Sequence, residues 1–370
     1  MLQAMEGIAM RTFIPVAAVV GVALLTASCG GVVNGAGDPR MPVRGITVFG
    51  DSSSDVGTYA DATGDPRNPG KFTVNPGKLW VENIAEHYGL ALTPYRALSL
   101  DKDASSGAGT EPGRARILGG NGYAEGGARV LQRPMQSGVG NNAIVLSVTE
   151  QLDAHLSKNG KFAPNHLVII TGGGNDSYAQ FAALCWQLDN NGDGGKTTMA
   201  GAVAAMDKAA SDQVANIRRI KDAGAGVILV SLASDWSVNP FAKKYLSAAY
   251  TGCKQAVSAA QITAWTEQFN QRIRDGLRGV AGVVFFTTHE VYRAASANPQ
   301  GHGLVNVTDA ACNNTRPTNS AAFCTRATLV APDADQTYMW SDSFHGTPGM
   351  HKLLSDKALA MLDVVARRAQ

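Results

Sequence analysis

The sequence lacks a charge excess and contains no run of basic residues. Its 370 residues include 32 lysines and arginines against 30 aspartates and glutamates, which leaves a formal net charge of +2. Proteins that bind nucleic acid present a basic patch or stripe, and no such stripe occurs here. Nucleic acid is therefore not expected as a partner. A content of 45% hydrophobic and 17% charged residues is typical of a globular chain.

The chain also lacks an apolar run long enough to span a membrane, which needs about 20 residues. Its longest apolar stretch, "FIPVAAVVGVALLTAS", follows Arg11 and is too short for a span. A basic residue before a short apolar run is typical of a secretory signal. We therefore predict that residues 1–28 are a signal peptide and that the protein is exported.

The predicted signal peptide ends at "LLTASCGG", which resembles the cleavage site of a bacterial lipoprotein. In that case Cys29 becomes the lipidated first residue and attaches the protein to a membrane of the cell envelope. Thr26 stands where such sites usually have leucine, so plain secretion, with Cys29 removed or left free, is the alternative. In both cases residues 29–42 form a flexible tether before a single domain at residues 43–370.

Cysteine is scarce, and its spacing does not suggest a metal site. Apart from Cys29, the chain has Cys185, Cys253, Cys312 and Cys324, without the CxxC or Cys/His spacing typical of zinc. An even number of cysteines in an exported protein favours structural disulfides. Because Cys312 and Cys324 bracket a short loop, we favour pairing Cys312 with Cys324 and Cys185 with Cys253 among the three alternatives.

One segment resembles half of a calcium-binding loop. "DNNGDG" at residues 189–194 matches the start of the motif, but Ala200 stands where the twelfth position needs an acidic ligand. We therefore favour a surface turn rich in Asp and Asn over a calcium site.

The pattern of apolar residues predicts an α/β fold. Runs rich in valine and isoleucine predict buried strands at residues 46–49, 167–171, 227–232 and 283–287. Helical spacing predicts helices at residues 78–88, 199–223, 256–277 and 348–368. Strands that alternate with helices indicate one mainly parallel sheet. Residues 58–121 are irregular apart from the helix at 78–88, and this segment is predicted to be a long insertion that walls a cleft.

Polar, glycine-rich turns directly follow the first two predicted strands. Asp51 and Ser52 follow the first strand, and "GGGND" at residues 172–176 follows the second. In an open parallel sheet, functional groups gather beyond the carboxyl ends of the strands. We therefore expect the two turns at the same edge of the sheet.

A serine at this edge needs further groups to act as a nucleophile: a base, a group that orients the base, and donors for an oxyanion. "DSFH" places Asp342 and His345 three residues apart, just before the last predicted helix. Taken alone, Ser52 is better explained as a helix N-cap. The G-x-S-x-G elbow is absent because Ser54 replaces its second glycine, which disfavours a standard α/β-hydrolase.

Four separated blocks occur in the order found in one family of esterases and lipases. They are "FGDSSSDVG" at residues 49–57, "YAEGGA" at 123–128, "GGGND" at 172–176 and "DSFH" at 342–345. Through these blocks the chain resembles the SGNH, or GDSL, hydrolases. Two longer segments, "GKLWVENIAEHYGL" at 77–90 and "NPQGHGLVNVTDAAC" at 298–312, resemble the secreted lecithinase and hemolysin branch of that family.

The resemblance implies a three-layer, flavodoxin-like α/β/α sandwich around a mainly parallel sheet. It also implies a serine esterase or lipase that cleaves carboxylic esters through an acyl-enzyme and requires no metal or organic cofactor. Ser52 takes the place of the nucleophile, His345 that of the base, and Asp342 that of the group that orients the base. A small-molecule or lipid ester is the implied substrate.

The resemblance also implies a set of oxyanion donors. These are the backbone N–H groups of Ser52 and Gly127 and the side chain of Asn175, with Gly126 as the close rival of Gly127. Two other functions remain open at this stage. One is an acyltransferase that uses the same acyl-enzyme, and the other is a non-catalytic envelope protein that binds a lipid or glycan.

Overall fold

Strands and helices alternate along the chain in a computed structural model that describes residues 43–99, 114–133, 144–188, 195–313 and 320–368. The strands are β1 (Gly45–Phe49), β2 (Arg96–Ser99), β3 (Arg114–Ile117), β4 (His166–Ile170), β5 (Val227–Leu232), β6 (Val283–Thr287), β7 (Asn306–Ala310) and β8 (Tyr338–Trp340). The helices are α1 (Ala60–Thr63), α2 (Trp80–His87), α3 (Val148–Asn159), α4 (Gly174–Trp186), α5 (Met199–Asp222), α6 (Pro240–Tyr245), α7 (Ala259–Gly276), α8 (Thr288–Ala297), α9 (Ala334–Thr337) and α10 (Pro348–Arg368). The predicted signal peptide, the tether with Cys29, and the calcium-like segment lie outside the described residues.

Four parallel strands form the central sheet in the order β1-β4-β5-β6. Ile46 pairs with Leu167 in the first ladder, and Leu229 pairs with Val284 in the last. The strands consist largely of apolar residues because helices cover both faces of the sheet. The predicted α/β fold is therefore confirmed. β5 and β6 have the predicted bounds, while β1 and β4 each begin one residue earlier than expected.

Two apolar cores lie on opposite faces of this sheet and separate three layers. On one face, Phe49 and Val168 pack with residues of α3, α4, α5 and α7. On the other face, Val48 and Ile169 pack with residues of α2, α8 and α10. Neighbouring residues of a strand thus point into different cores, as the two-residue period of a strand requires.

Side-chain caps determine where two of the helices begin. The Ser258 hydroxyl accepts a hydrogen bond from the Gln261 N–H, and the Gln261 side chain accepts one from the Ser258 N–H. This capping box starts α7 at residue 259, and the predicted start at residue 256 was wrong for this reason. Ser147 and Glu150 form the same motif at the start of α3, a helix that was not predicted.

The stretch at residues 58–121 is largely irregular where it is described. It contains α1, α2 and the antiparallel pair of β2 and β3. The pair was not predicted, because every residue of β3 is exposed and no buried apolar run marks it. The helix predicted at residues 78–88 is confirmed as α2, which begins two residues later and ends one residue earlier than predicted.

Two disulfides join Cys185 to Cys253 and Cys312 to Cys324, which is the pairing favoured from the sequence. Disulfides persist mainly in oxidising compartments outside the cytoplasm, so they fit an extracytoplasmic protein. Among the described helices, none is long and apolar enough to cross a membrane.

Candidate active site

Three consecutive serines after β1 form a short 3-10 helix, and each has a different environment. Asp51 is the N-cap of this helix, and its Oδ1 accepts hydrogen bonds from the N–H and the hydroxyl of Ser53, at 3.0 and 2.7 Å. Ser54 is fully buried. The Oγ of Ser52 lies 2.8 Å from Nε2 of His345. Because Asp51 is the cap, Ser52 is not needed for capping and its hydroxyl faces the imidazole.

The turn that presents Ser52 is held by its neighbours. Gly50 has φ +150°, and a Cβ at this position would collide with the side chain of Thr171 at the end of β4. The amide of Gln151 on α3 bonds both backbone groups of Gly50, at 2.8 Å each. Glycine is therefore required at residue 50, and the serine turn is fixed against the neighbouring strand and helix.

Asp342 holds the other side of the His345 ring. Its Oδ2 lies 2.8 Å and its Oδ1 3.0 Å from Nδ1 of His345. The N–H groups of Phe344 and His345 both donate to Oδ1, and the N–H of Ala321 donates to Oδ2, each at 2.7 Å. Burial raises the pKa of Asp342, but the His345 imidazole and the N–H groups of Phe344 and His345 together lower it by more, so the pKa lies below its usual value.

These contacts determine which nitrogen of His345 can accept a proton. Nδ1 faces an ionised carboxylate and therefore carries the hydrogen, which leaves the lone pair of Nε2 toward Ser52. The Phe72 ring packs against the imidazole, with 5.0 Å between the ring centroids. The arrangement suits transfer of a proton from Ser52 to Nε2.

The predicted oxyanion donors differ in whether their N–H groups already donate hydrogen bonds within the protein. Asn175 is buried, and its Nδ2 donates to the Ala128 carbonyl at 2.9 Å, which orients the amide and leaves its second hydrogen. The Gly126 N–H donates to Asp55 at 2.8 Å. The Gly127 N–H has no partner among the described residues, and neither has that of Ser52. Of the two glycines, Gly127 is therefore the one with an available donor.

An ion pair of Asp176, the residue after Asn175, connects α4 to the glycine loop, residues 125–130. The Asp176 carboxylate accepts from the Val130 N–H at 3.1 Å and lies 3.5 Å from Nε of Arg129. Burial raises the pKa of Asp176, and the Arg129 guanidinium opposes that shift. Neither Asn175 nor Asp176 is the N-cap of α4, because Gly173 occupies that position without a side-chain cap. Asp176 instead holds residues 128–130 beside Asn175.

Two buried carboxyl groups support the same glycine loop and were not identified from the sequence. Asp55 accepts from Gly126, and Glu125 pairs with Arg96 at 2.8 Å. Burial raises the pKa of Asp55 to about 6 and that of Glu125 to about 7. Asp55 lies in the block "FGDSSSDVG" and Glu125 in "YAEGGA". An acidic residue inside each block was the signal that could have identified them.

A cleft opens over these groups, and Ser52, Asn175 and His345 all line it. Its walls carry seven aromatic side chains: Phe72, Trp80, Tyr178, Trp236, Tyr292, Trp340 and Phe344. No lysine or arginine lines the described part of the cleft. Phe72 and the first residue of α2, Trp80, both belong to the segment at residues 58–121 that was expected to wall a cleft. The aromatic lining was largely missed, because its members come from separate segments without a common pattern.

Within the described ranges, no group of three or more histidine, cysteine, aspartate or glutamate side chains is arranged to hold a metal ion. A comparison with curated proteins finds no match. Among solved structures, the chain is similar to an alpha/beta hydrolase enzyme from the metagenome of Lake Arreo, Spain. The two chains are 11% identical with a TM-score of 0.39, and the match covers 87% of this chain and 99% of that one. The family model of the GDSL-like lipases/acylhydrolases matches residues 46–358, most of the sequence, so the chain belongs to that family.

Proposed function

We propose that the protein is a serine ester hydrolase, with Ser52 as nucleophile, His345 as general base and Asp342 as the residue that orients the base. One observation carries this proposal. Asp342, His345 and Ser52 form a continuous hydrogen-bonded chain with two contacts of 2.8 Å, and the cleft opens at its serine end. A binding protein has no need of such a chain, whereas acyl transfer to serine requires it.

In the first half of the reaction, Ser52 Oγ attacks the ester carbonyl carbon while Nε2 of His345 accepts its proton. The negative charge that develops on the carbonyl oxygen is stabilised by the N–H groups of Ser52 and Gly127 and by the Asn175 amide. Collapse of this intermediate breaks the ester C–O bond. His345 then gives its proton to the departing alcohol, and the acyl group remains on Ser52.

In the second half, water attacks the acyl-enzyme while His345 accepts one of its protons. The same donors stabilise the second tetrahedral intermediate. Its collapse releases the carboxylic acid and returns the proton to Ser52. Asp342 keeps its negative charge throughout and stabilises the imidazolium that forms in each half.

The lining of the cleft favours a substrate without negative charge near the reacting ester. The aromatic walls contribute apolar contact area. The described lining residues include no lysine or arginine to pair with a phosphate or carboxylate of the substrate. The resemblance to the lecithinase and hemolysin branch makes a phospholipid the natural comparison. We expect neutral carboxylic esters to be hydrolysed faster than a phospholipid with the same acyl chains.

We also propose that the protein acts outside the cytoplasm, after export through the signal peptide at residues 1–28. The two disulfides support this location. Lipidation of Cys29 would hold the enzyme at a membrane surface. Mass spectrometry of the N-terminal peptide distinguishes a lipidated Cys29 from a secreted chain.

Hydrolysis of p-nitrophenyl esters by the purified protein tests the proposed chemistry. We expect Ser52→Ala to abolish turnover, because among the described residues the Ser52 hydroxyl is the one that is hydrogen-bonded to Nε2 of His345. Ser247→Ala is the matched control, since the hydroxyl of this exposed serine donates to the Lys244 carbonyl, and the change is expected to leave turnover unchanged. Turnover by Ser52→Ala at the wild-type rate would refute the mechanism.

A further inference from the structure

Asp342 has a hydrogen-bond donor outside its own loop. The backbone N–H of Ala321 donates to Oδ2 at 2.7 Å, and Oδ2 is the oxygen closest to Nδ1 of His345. Both Ala321 and Asp342 are buried. One backbone N–H thus bonds the same carboxyl oxygen that holds the imidazole of His345.

Ala321 begins a one-turn 3-10 helix, Ala321–Phe323, whose N-cap is Ser320. Cys324 follows this turn directly and is bonded to Cys312. The N–H of Cys312 in turn donates to the carbonyl of Ser341, the residue before Asp342, at 3.2 Å. The disulfide therefore links the turn that bonds Asp342 to Cys312, which bonds the residue before Asp342.

A second segment, at residues 73–75, also holds this turn. The Asn75 side chain is buried and donates to the carbonyls of Ala321 and Cys324, each at 3.1 Å. Two residues before it, the Thr73 hydroxyl donates to the Gly346 carbonyl, next to His345, at 3.0 Å. The turn is thus fixed relative to both Asp342 and the segment that carries His345.

We propose that the Cys312–Cys324 disulfide and the turn at residues 321–323 are a positioning element for Asp342. The inference rests on the proposed function, because it assigns a role through Asp342 and His345. The crosslink keeps the Ala321 N–H on Oδ2, and this donor holds the carboxylate in the plane that suits Nδ1. Without it, the carboxylate rotates and stabilises the imidazolium less well. A small misalignment of a reacting group lowers kcat without an equal loss of substrate affinity.

The other disulfide offers a comparison within the same chain. Cys185 lies at the end of α4, and the backbone contacts beside this bridge join Lys254 to Cys185 and Gln255 to Leu184. None of these described contacts reaches Asp342 or His345. Loss of this bridge tests the general effect of removing a crosslink.

The most direct variant removes one hydrogen-bond donor and keeps both cysteines. Ala321→Pro deletes the N–H at the first position of the helical turn, where proline is favoured. Ser320 has φ −86° and ψ 141°, an extended conformation that a following proline accepts. We expect kcat for a p-nitrophenyl ester to fall about 10-fold, the effect of losing one hydrogen bond to a charged group, while KM changes less than about twofold.

The pH profile separates positioning from a general structural effect. The acid limb of kcat/KM reports the imidazole of the free enzyme. We expect it to move to lower pH in Ala321→Pro, because a carboxylate that turns away stabilises the imidazolium less. Among the described residues, Tyr292 interacts electrostatically with Asp342 and His351 with His345, and Lys71, which is paired with Glu82, interacts with His351. All of them are unchanged in the variant.

Two double variants complete the experiment, Cys312→Ala/Cys324→Ala and Cys185→Ala/Cys253→Ala. We expect only the first to lower kcat and to shift the acid limb, as Ala321→Pro does. Ser320→Ala, which removes the cap of the turn but keeps the Ala321 N–H, is expected to retain the wild-type acid limb. If the first double variant does not fold, Ala321→Pro carries the test.

An unchanged kcat and acid limb in Ala321→Pro would overturn the inference. Equal losses in the two double variants would also overturn it, because they would report general destabilisation. Failure of the proposed function looks different. In that case the wild type does not hydrolyse the ester, or Ser52→Ala retains activity, whatever the cysteine variants do.

Discussion

A single side chain, Asp55, distinguishes the two glycines of the Gly126-Gly127 pair. Its carboxylate accepts the Gly126 N–H at 2.8 Å, and Gly127, at φ +83°, keeps its donor available. The sequence could not decide between them, because two adjacent glycines satisfy the same motif. The decision depends on a contact between residues 71 positions apart, which only the folded chain reveals.

Asn175 allows a test of oxyanion stabilisation at the scale of one amide. We expect Asn175→Ala to lower kcat about 100- to 1,000-fold, the usual cost of one oxyanion donor, with a much smaller effect on KM. Steady-state kinetics on a p-nitrophenyl ester measures both values.

Asn216→Ala is the matched control for this change. Asn216 is also a buried asparagine with a side-chain hydrogen bond, to Thr149 at 2.9 Å, but it lies on α5 away from the cleft. We expect it to lower the Tm without lowering kcat. A similar loss of kcat in both variants would remove Asn175 from the proposed oxyanion site.

At the scale of elements, α4 presents two side chains to the cleft from its N-terminal half. Asn175 lies in its first turn, and Tyr178 follows three residues later, so both line the cleft. The Tyr178 ring contacts those of Trp236 and Phe344, with centroids 6.4 and 5.6 Å away. This helix therefore places an aromatic wall beside the proposed oxyanion donor.

Tyr178→Ala tests whether this wall binds the apolar part of the ester. Each methylene group removed from water contributes about 0.8 kcal/mol, so losing the wall costs more for longer chains. Between p-nitrophenyl acetate and the octanoate, we expect the loss of kcat/KM to increase about 10-fold. Tyr95→Ala is the control, because Tyr95 stacks on Tyr123 outside the cleft. Equal losses for both esters in Tyr178→Ala would contradict this role.

The elements differed in how far the sequence could predict them. β5 and β6 were predicted at their observed bounds, since each is a short apolar run that is typical of a buried strand. β3 was missed because its residues are exposed. For α3, a usable signal was present, since Ser147 and Glu150 form the S-x-x-E pattern of a capping box.

At the scale of the whole molecule, the proposed site gathers residues that are far apart in the sequence. Ser52 and Asn175 were expected at one edge because each follows a strand, and β1 and β4 are indeed neighbours. Ala321 and Phe72 could not be predicted as neighbours of Asp342 and His345. They lie in irregular segments, where no periodicity indicates which residues meet.

Two kinds of buried titratable group act on the free energy of unfolding in opposite directions between about pH 4 and 7. Burial lowers the pKa of His155 to about 4 and that of His351 to about 3, below the unfolded value near 6.5. Their stabilisation is present above about pH 6.5 and is lost as the pH falls. Burial raises the pKa of Asp55 to about 6 and that of Glu125 to about 7. Their stabilisation is present below about pH 4 and is lost as the pH rises toward 7.

Replacing one group of each kind separates the two effects. In His155→Phe, the phenyl ring takes up no proton, so we expect the Tm relative to the wild type to increase as the pH falls from 6.5 to 4. In Glu125→Gln, we expect the relative Tm to increase as the pH rises from 4.5 to 7. Thermal unfolding followed by circular dichroism at closely spaced pH values measures both slopes.

Glu267→Gln, an exposed change on α7, is the control, and its Tm should change with pH as that of the wild type does. Slopes of the same sign in the two buried variants would contradict the assigned protonation states, because only opposite pKa shifts give opposite slopes.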